Sequence, residues 1–156
     1  VHTDSRGFKL TGQLGDVMQE SASTSYSYIS SHLEKYGAKA DYFENSHIHL
    51  HVPDGATPKD GPSAGITIGI ALLSLARKRK INRALAMTGE LTLTGRVLPI
   101  GGLREKTIAA RRQNIKELIF PAENEKDFKE LPDYIREGIK PHFVDHFDQV
   151  ATIVFG

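Results

Sequence analysis

The chain has 156 residues, of which 39% are hydrophobic and 25% charged, as in an ordinary single globular domain. Its 20 Lys and Arg against 19 Asp and Glu leave a net charge of +1, so no basic excess indicates a nucleic-acid surface. The absence of cysteine excludes disulfide scaffolds, thiol nucleophiles and cysteine-based zinc sites. No run of about 18 apolar residues is present, so no membrane span is expected.

The first half of the chain predicts two helices and a strand. Apolar residues at helical spacing predict a long helix over about residues 14–36, and strict alternation in 47–52 predicts a strand with one apolar face. A loop rich in Pro, Gly and Asp covers 53–62. A helix that is apolar on nearly all sides begins at about Ser63. It ends in the basic run 77–80, which we interpret as a last turn that complements the helix dipole.

The second half predicts shorter elements. A strand is expected over 84–88, a hairpin over 90–100, and a helix from Gly101-Gly102 to about Arg112. Further elements are a strand at 116–121, helical stretches at 123–131 and 133–137, a strand at 140–144 and a helix at 147–155. This mixture predicts an α+β or mixed α/β fold in one compact unit.

The junction between the loop and the apolar helix contains Gly-x-Ser-x-Gly, centred on Ser63. This pattern is typical of a nucleophile elbow, but the elbow needs a strand that runs directly into the serine, and here a loop intervenes. The alternative is structural, with Ser63 as a helix N-cap. A phosphate-binding loop is disfavoured because the Gly-Lys-Ser/Thr ending is missing.

A nucleophilic serine needs a base, and histidines are the first candidates. They are His47, His49, His51, His142 and His146. A Ser-His-Asp set that uses Asp60 is conceivable. The three histidines at alternate positions of the predicted strand are otherwise a polar sheet face, or a metal site that no nearby ligand set completes.

Lys106 is the other candidate base, because it lies in the first turns of the helix after Gly101-Gly102. It is either a solvated helix lysine or a neutral amine that acts as in Ser-Lys dyads. Making a lysine about half neutral at pH 7 requires roughly 4.6 kcal/mol, whereas the dipole supplies about 0.3–1 kcal/mol. Burial against the apolar helix and strand 84–88 must supply the rest. Thr88 is placed to hold the amine by a hydrogen bond.

Two long motifs, in this order along the chain, resemble those of the Lon proteases. Residues 58–65, Pro-Lys-Asp-Gly-Pro-Ser-Ala-Gly, are similar to the nucleophile motif of that family, in the wording of its bacterial and mitochondrial branch. Residues 87–90 and 98–106 are similar to the segment that supplies its lysine. With the similar segments 15–21 and 49–53, the resemblance covers nearly the whole chain from about Leu10.

The resemblance implies a serine endopeptidase that acts on unfolded or damaged proteins, with Ser63 as the nucleophile and Lys106 as the general base. Thr88 would contact the lysine, and backbone N–H groups near residues 62–64 would stabilise the oxyanion. The implied supporting residues are Asp60, Gly61, Pro62, His49 and His51. The rival interpretation is a non-catalytic polypeptide-binding or assembly module of the same fold.

The resemblance also implies how the domain is organised. Residues 10–156 would form a single α+β proteolytic domain with mixed short sheets and packed helices, after a ragged segment at 1–9, and six copies would form a ring. The ATP-driven module of whole Lon proteins is absent from this chain, so ATP and Mg²⁺ are expected only in the parent protein and no cofactor here. No nucleic acid or membrane partner is expected. The expected location is the bacterial cytoplasm, with the mitochondrial matrix as the alternative.

Overall fold

The computed structural model describes residues 8–12, 15–52, 64–81 and 84–156, with backbone alone at 10, 12 and 50–52. The strands are β1 Phe8–Gly12, β2 Ile48–Val52, β3 Leu85–Met87, β4 Glu90–Leu91, β5 Val97–Leu98, β6 Glu117–Pro121 and β7 Lys140–Val144. The helices are α1 Asp16–Ser31, α2 Gly65–Arg77, α3 Leu103–Arg112, α4 Glu125–Lys129, α5 Asp133–Arg136 and α6 Phe147–Phe155. Short 3-10 helices cover Glu34–Tyr36, Tyr42–Asn45 and Ala122–Asn124.

The strands within the described ranges form three small sheets. β1 pairs with β2 in parallel, β4 and β5 form an antiparallel ribbon, and β6 lies between β3 and β7 with both pairings parallel. Parallel neighbours need a crossover connection, and α3 supplies it between β3 and β6, while α4 and α5 supply it between β6 and β7. The mixture of helices and short sheets confirms the predicted α+β class.

Each face of the three-stranded sheet covers its own apolar cluster. Successive side chains of a strand point to opposite faces, so Ile119 packs with α1, α2 and α6, while Leu118 and Phe120 pack with α3 and α4. All three are buried. The sheet therefore holds α2 on one face and α3 on the other, which positions the candidate site between them.

Most predicted elements are confirmed, with shifted ends. The first helix is shorter than predicted, because α1 ends at Ser31 and a 3-10 helix follows at Glu34–Tyr36. His32 leaves the helical conformation at φ −128°, and its Nδ1 lies 2.7 Å from the Tyr28 carbonyl oxygen. Leu33 and Tyr36 are still buried, so the apolar spacing identified the inward side chains but not the backbone.

Two further differences concern strands. His47 precedes β2 and is exposed, so the strand is one residue shorter than predicted. β1 was not predicted, although the buried Phe8 stacks on Tyr26 at 4.4 Å between ring centroids. Within the described ranges no helix is both long and apolar enough to cross a membrane.

Candidate active site

The predicted nucleophile lies outside the described residues. Ser63, Asp60, Gly61 and Pro62 all fall in 53–63, so the structure gives no geometry for them. The described chain resumes at Ala64, the N-cap of α2.

The start of α2 is packed backbone to backbone against the segment after β3. The Ile66 N–H donates to the Gly89 carbonyl at 3.1 Å. A Cβ at Gly65 would lie 2.6 Å from the backbone nitrogen of Leu91, so only glycine permits this approach. From α1, the Ser25 hydroxyl donates to the Gly65 carbonyl at 2.9 Å. These contacts fix the helix start next to residues 88–91.

A cavity of about 260 Å³ opens where α2, β3, β6 and α3 meet. Its lining residues are Ala64, Thr67, Ala86, Met87, Thr88, Lys106, Leu118, Ile119 and Phe120. The structure thus places the predicted base, the predicted supporting threonine and the residue after the predicted nucleophile around one space. Lys106 is half-buried and Thr88 is buried, and most of the other lining side chains are apolar.

Lys106 reaches this cavity because of how α3 begins. Gly102 is the N-cap and has φ 73°, a left-handed conformation that glycine adopts without strain. The backbone N–H of Lys106 donates to the Gly102 carbonyl at 3.1 Å, so the lysine lies in the first turn. The positive end of the helix dipole and the apolar walls both disfavour an ammonium there. Lys106 therefore lines the cavity from the first turn of α3.

Backbone and side-chain hydrogen bonds hold the end of β3 at the cavity. The Thr88 N–H donates to the Ile119 carbonyl at 3.1 Å, which continues the parallel pairing beyond the strand. The Thr67 hydroxyl donates to the Met87 carbonyl at 3.3 Å. Sequence reasoning did not single out Thr67 as a lining residue. The signal was available, since Thr67 is the one polar residue in the first two turns of α2, four positions after Ser63.

The described histidines are held by other partners. Nε2 of His49 is 2.7 Å from the Thr11 hydroxyl, between β1 and β2. His142 on β7 is 2.6 Å from Glu117, and Nδ1 of His146 accepts from the Asp148 N–H at the start of α6. The side chain of His51 lies outside the described residues.

No described histidine lines the cavity with Lys106. Across the described side chains, no group of three His, Asp or Glu could hold a metal ion. Lys106 is therefore the titratable group that the described structure brings to the predicted site.

Comparison with known proteins identifies similar sequences over the whole chain. Residues 1–156 match the family model of the Lon protease (S16) C-terminal proteolytic domain. The chain is 67% identical over 155 residues to Lon protease 2 of Hydrogenovibrio crunogenus, covering 99% of this chain and 18% of that protein. It is 60% identical over 147 residues to the Lon protease of Protochlamydia amoebophila, covering 94% of this chain and 18% of that protein.

A mitochondrial relative is also similar over most of the chain. The chain is 54% identical over 147 residues to the mitochondrial Lon protease homolog of Homo sapiens, covering 94% of this chain and 15% of that protein. The chain thus spans only 15–18% of the length of these curated relatives.

Proposed function

The chain belongs to the family of Lon protease C-terminal proteolytic domains, and on that premise we propose that it hydrolyses peptide bonds with a Ser63–Lys106 dyad. The observation that carries the proposal is the cavity shared by Lys106, Thr88 and Ala64. Ala64, which follows Ser63 directly in the sequence, is one of the residues that line the cavity.

In the proposed reaction the neutral Lys106 amine takes the proton from the Ser63 hydroxyl as its oxygen attacks the scissile carbonyl. The C–N bond then breaks, and Lys106 gives the proton to the leaving amine. Water attacks the acyl-serine, Lys106 accepts its proton, and that proton returns to Ser63 as the ester bond breaks. Backbone N–H groups at the start of α2 would stabilise the oxyanion.

The surroundings of Lys106 support its role as a base. Lys106 lies in the first turn of α3 and lines a largely apolar cavity, and both features disfavour a positive charge. The Thr88 hydroxyl would orient the amine towards Ser63. These steps use side chains of this chain alone, and we expect no metal or cofactor in them.

A substrate would lie extended beside β3. In the order β3-β6-β7, β3 is an edge strand of the described sheet, and it lines the cavity. Hydrogen bonds to a strand edge hold the main chain of an extended peptide, and pockets for its alternate side chains then provide specificity. Unfolded or damaged polypeptides present such extended segments.

The wider setting follows from the family. We propose that the domain works in a homo-hexameric ring within an ATP-dependent protease, in the bacterial cytoplasm or, alternatively, the mitochondrial matrix. ATP and Mg²⁺ would act in the parent protein's unfolding module. Neither nucleic acid nor a membrane is expected as a partner of this domain.

The test measures cleavage of a fluorescently labelled unstructured protein such as casein by the purified chain, at several concentrations to allow self-association. Ser63→Ala and Lys106→Gln are each expected to reduce turnover by at least about 100-fold, as loss of a general base does. Ser27→Ala on α1 and Lys126→Gln on α4 are matched controls, because both residues are exposed and neither is among the described residues that line the cavity.

Three outcomes would contradict the dyad. Full turnover by Lys106→Gln together with loss in His51→Ala would assign the base to histidine. Inhibition by a chelator with resistance to serine-directed reagents would indicate a metal site. Binding of casein without cleavage, at every concentration, would favour the non-catalytic module.

A further inference from the structure

Asn124 makes an unusual set of hydrogen bonds for a residue at the start of a helix. It is buried, and it occupies the N-cap of α4. An asparagine at this position normally accepts a hydrogen bond from a backbone N–H of the first turn. Its side chain makes no such cap. Its oxygen is instead directed to another part of the chain.

The partner is Ile100, in the loop before α3. The Ile100 N–H donates to Oδ1 of Asn124 at 2.9 Å, and Nδ2 of Asn124 donates to the Ile100 carbonyl at 3.0 Å. The remaining hydrogen of Nδ2 is donated to Oδ2 of Asp127 at 2.9 Å. Both amide hydrogens of Asn124 are therefore used. If the side-chain amide were rotated by 180°, its NH2 group would oppose the Ile100 N–H, so the hydrogen bonds define its orientation.

This pair of bonds holds Ile100, which packs at the edge of the cluster around Leu103 and Phe120, just before two glycines without side chains. Gly101 and Gly102 follow Ile100 and are exposed, and a Cβ at Gly101 would meet no atom of the described residues within 4 Å. Apolar contacts of the buried Leu103 keep α3 against the sheet, but apolar contacts are not directional. Hydrogen bonds are directional. The two bonds from the Asn124 amide therefore fix the position of the first turn of α3 along the helix axis.

That starting point determines where Lys106 lies. The first hydrogen bond of α3 runs from the Lys106 N–H to the Gly102 carbonyl, two residues after Ile100. Asn124 itself follows β6 after one short turn, and β6 supplies Leu118, Ile119 and Phe120 to the cavity. One amide thus connects the strand that forms the cavity wall to the helix that carries the lysine.

We propose that Asn124 is a positioning residue, which fixes Lys106 in the cavity through its two hydrogen bonds to Ile100. This inference rests on the proposed dyad. A displacement of about 1 Å at a catalytic group reduces the rate by up to about 100-fold. Substrate binding depends on other surfaces, so the effect is expected in kcat and not in KM.

The experiment compares Asn124→Asp, Asn124→Ala and Asp127→Asn in the full chain with a fluorogenic peptide. Asn124→Asp keeps the acceptor for the Ile100 N–H but loses the donor to its carbonyl, whereas Asn124→Ala loses both. Asp127→Asn is the matched control, because it leaves both bonds to Ile100 in place. Activity is divided by the folded fraction measured by circular dichroism, so a variant that partly unfolds still gives a kcat.

We expect kcat to fall about 10–100-fold in both Asn124 variants, with KM within about twofold, and Asp127→Asn to keep kcat within about twofold. The backbone amide of Ile100 should exchange with deuterium faster in Asn124→Ala than in the wild type.

The proposal is overturned if the Asn124 variants keep wild-type kcat once corrected for folding, or if Asp127→Asn loses as much kcat as Asn124→Asp. The latter result would assign the role to α4 itself. Failure of the dyad is recognised separately, because Lys106→Gln would then keep full turnover whatever the Asn124 variants do.

Discussion

The hydroxyl of Tyr36 donates a hydrogen bond of 2.6 Å to Oδ1 of Asp148, although the two residues are 112 positions apart. Nζ of Lys35 lies 3.0 Å from the same oxygen, and the Tyr28 hydroxyl is a further partner of Tyr36. Tyr36 is buried below the surface that carries Asp148. The bond therefore joins the segment after α1 to the first turn of α6.

Asp148 should make stability depend on acid. Partial burial by itself raises the pKa of this carboxyl, but the hydrogen bond from Tyr36 and the Lys35 ammonium outweigh it and hold the pKa below its ordinary value of 3.8. A carboxyl whose pKa is lowered in the folded state stabilises the fold at any pH above its ordinary pKa. This stabilisation is lost as the pH falls through the lowered pKa of the folded state. Asp148→Asn should cost about 0.5–1 kcal/mol at pH 7, a figure reduced because the side chain is half exposed.

Urea unfolding at pH 7 and at pH 2.5 measures this difference. The deficit of Asp148→Asn should be present at pH 7 and largely gone at pH 2.5. An equal deficit at both values would show that the carboxylate charge is not the cause.

Tyr36 should produce the opposite dependence at high pH. Burial, followed by the bonds to Asp148 and Tyr28, raises the pKa of the Tyr36 phenol above its ordinary value of 10.0. A raised pKa gives stability that is complete below pH 10 and lost above it. Tyr36→Phe should therefore cost about 1–2 kcal/mol at pH 7, with a gap that narrows above pH 10. The exposed Tyr134, changed to Phe, is the control and should show neither effect.

The Thr88 hydroxyl should matter for turnover more than the methyl beside it. If it orients the Lys106 amine, Thr88→Val loses a hydrogen bond to the catalytic base, and such bonds contribute about 1.5–3 kcal/mol. Turnover should then fall by about 10–100-fold, while Thr88→Ser keeps most of it. Steady-state kinetics on a peptide substrate measures both variants, and equal losses in Ser and Val would refute a role for the hydroxyl.

Two serines of α1 should respond oppositely to the same substitution. Within the described structure, the buried Ser23 hydroxyl oxygen has no hydrogen-bond partner, whereas the Ser25 hydroxyl donates to the Gly65 carbonyl. An unsatisfied buried hydroxyl costs about 1–3 kcal/mol, so Ser23→Ala should leave stability unchanged or raise it. Ser25→Ala should lower it by about 1 kcal/mol. Chemical denaturation measures the free energy of unfolding of both variants. A larger loss of stability in Ser23→Ala than in Ser25→Ala would contradict this prediction.

Gly65 is expected to tolerate no side chain. A Cβ would lie 2.6 Å from the Leu91 nitrogen and 3.3 Å from the Gly89 oxygen, both backbone atoms that cannot rotate away. Gly65→Ala should cost about 1–3 kcal/mol, as overpacking does, and should displace α2 from the cavity. Gly101→Ala is the matched control, since a Cβ there meets no atom within 4 Å, and it should change stability by less than about 1 kcal/mol. Thermal melts compare the two.

Sequence patterns predicted the positions of helices and strands better than they predicted which strands pair with each other. Alternation and helical spacing depend on neighbouring residues, so α2, β6 and β7 were found with nearly correct ends. The pairing of β1 with β2 joins Phe8 to Ile48, and no local pattern contains that information. The end of α1 was missed for a related reason, because Tyr36 is held by Asp148 and not by the helix.

The candidate site divides in the same way. Lys106 was identified from its misplacement at a helix start and from the family resemblance, and the structure places it in a cavity with Thr88. The role of Asn124 had no sequence signal, since an asparagine before a helix predicts an ordinary N-cap. Its hydrogen bonds to Ile100 depend on the fold that brings β6 beside α3.

The parallel pairing of the strands has a consequence for synthesis on the ribosome. β1 is made first, but it cannot pair until β2 has emerged, and β3 must likewise wait for β6. At about 5–20 residues per second, each of these strands waits on the order of seconds with its edge unpaired. Tyr36 remains without its hydrogen-bond acceptor for longer, because Asp148 belongs to α6, the last helix of the described chain. A nascent chain stalled before α6 would therefore already contain the partners of β1 and β3, but its Tyr36 would lack Asp148 and remain accessible to chaperones.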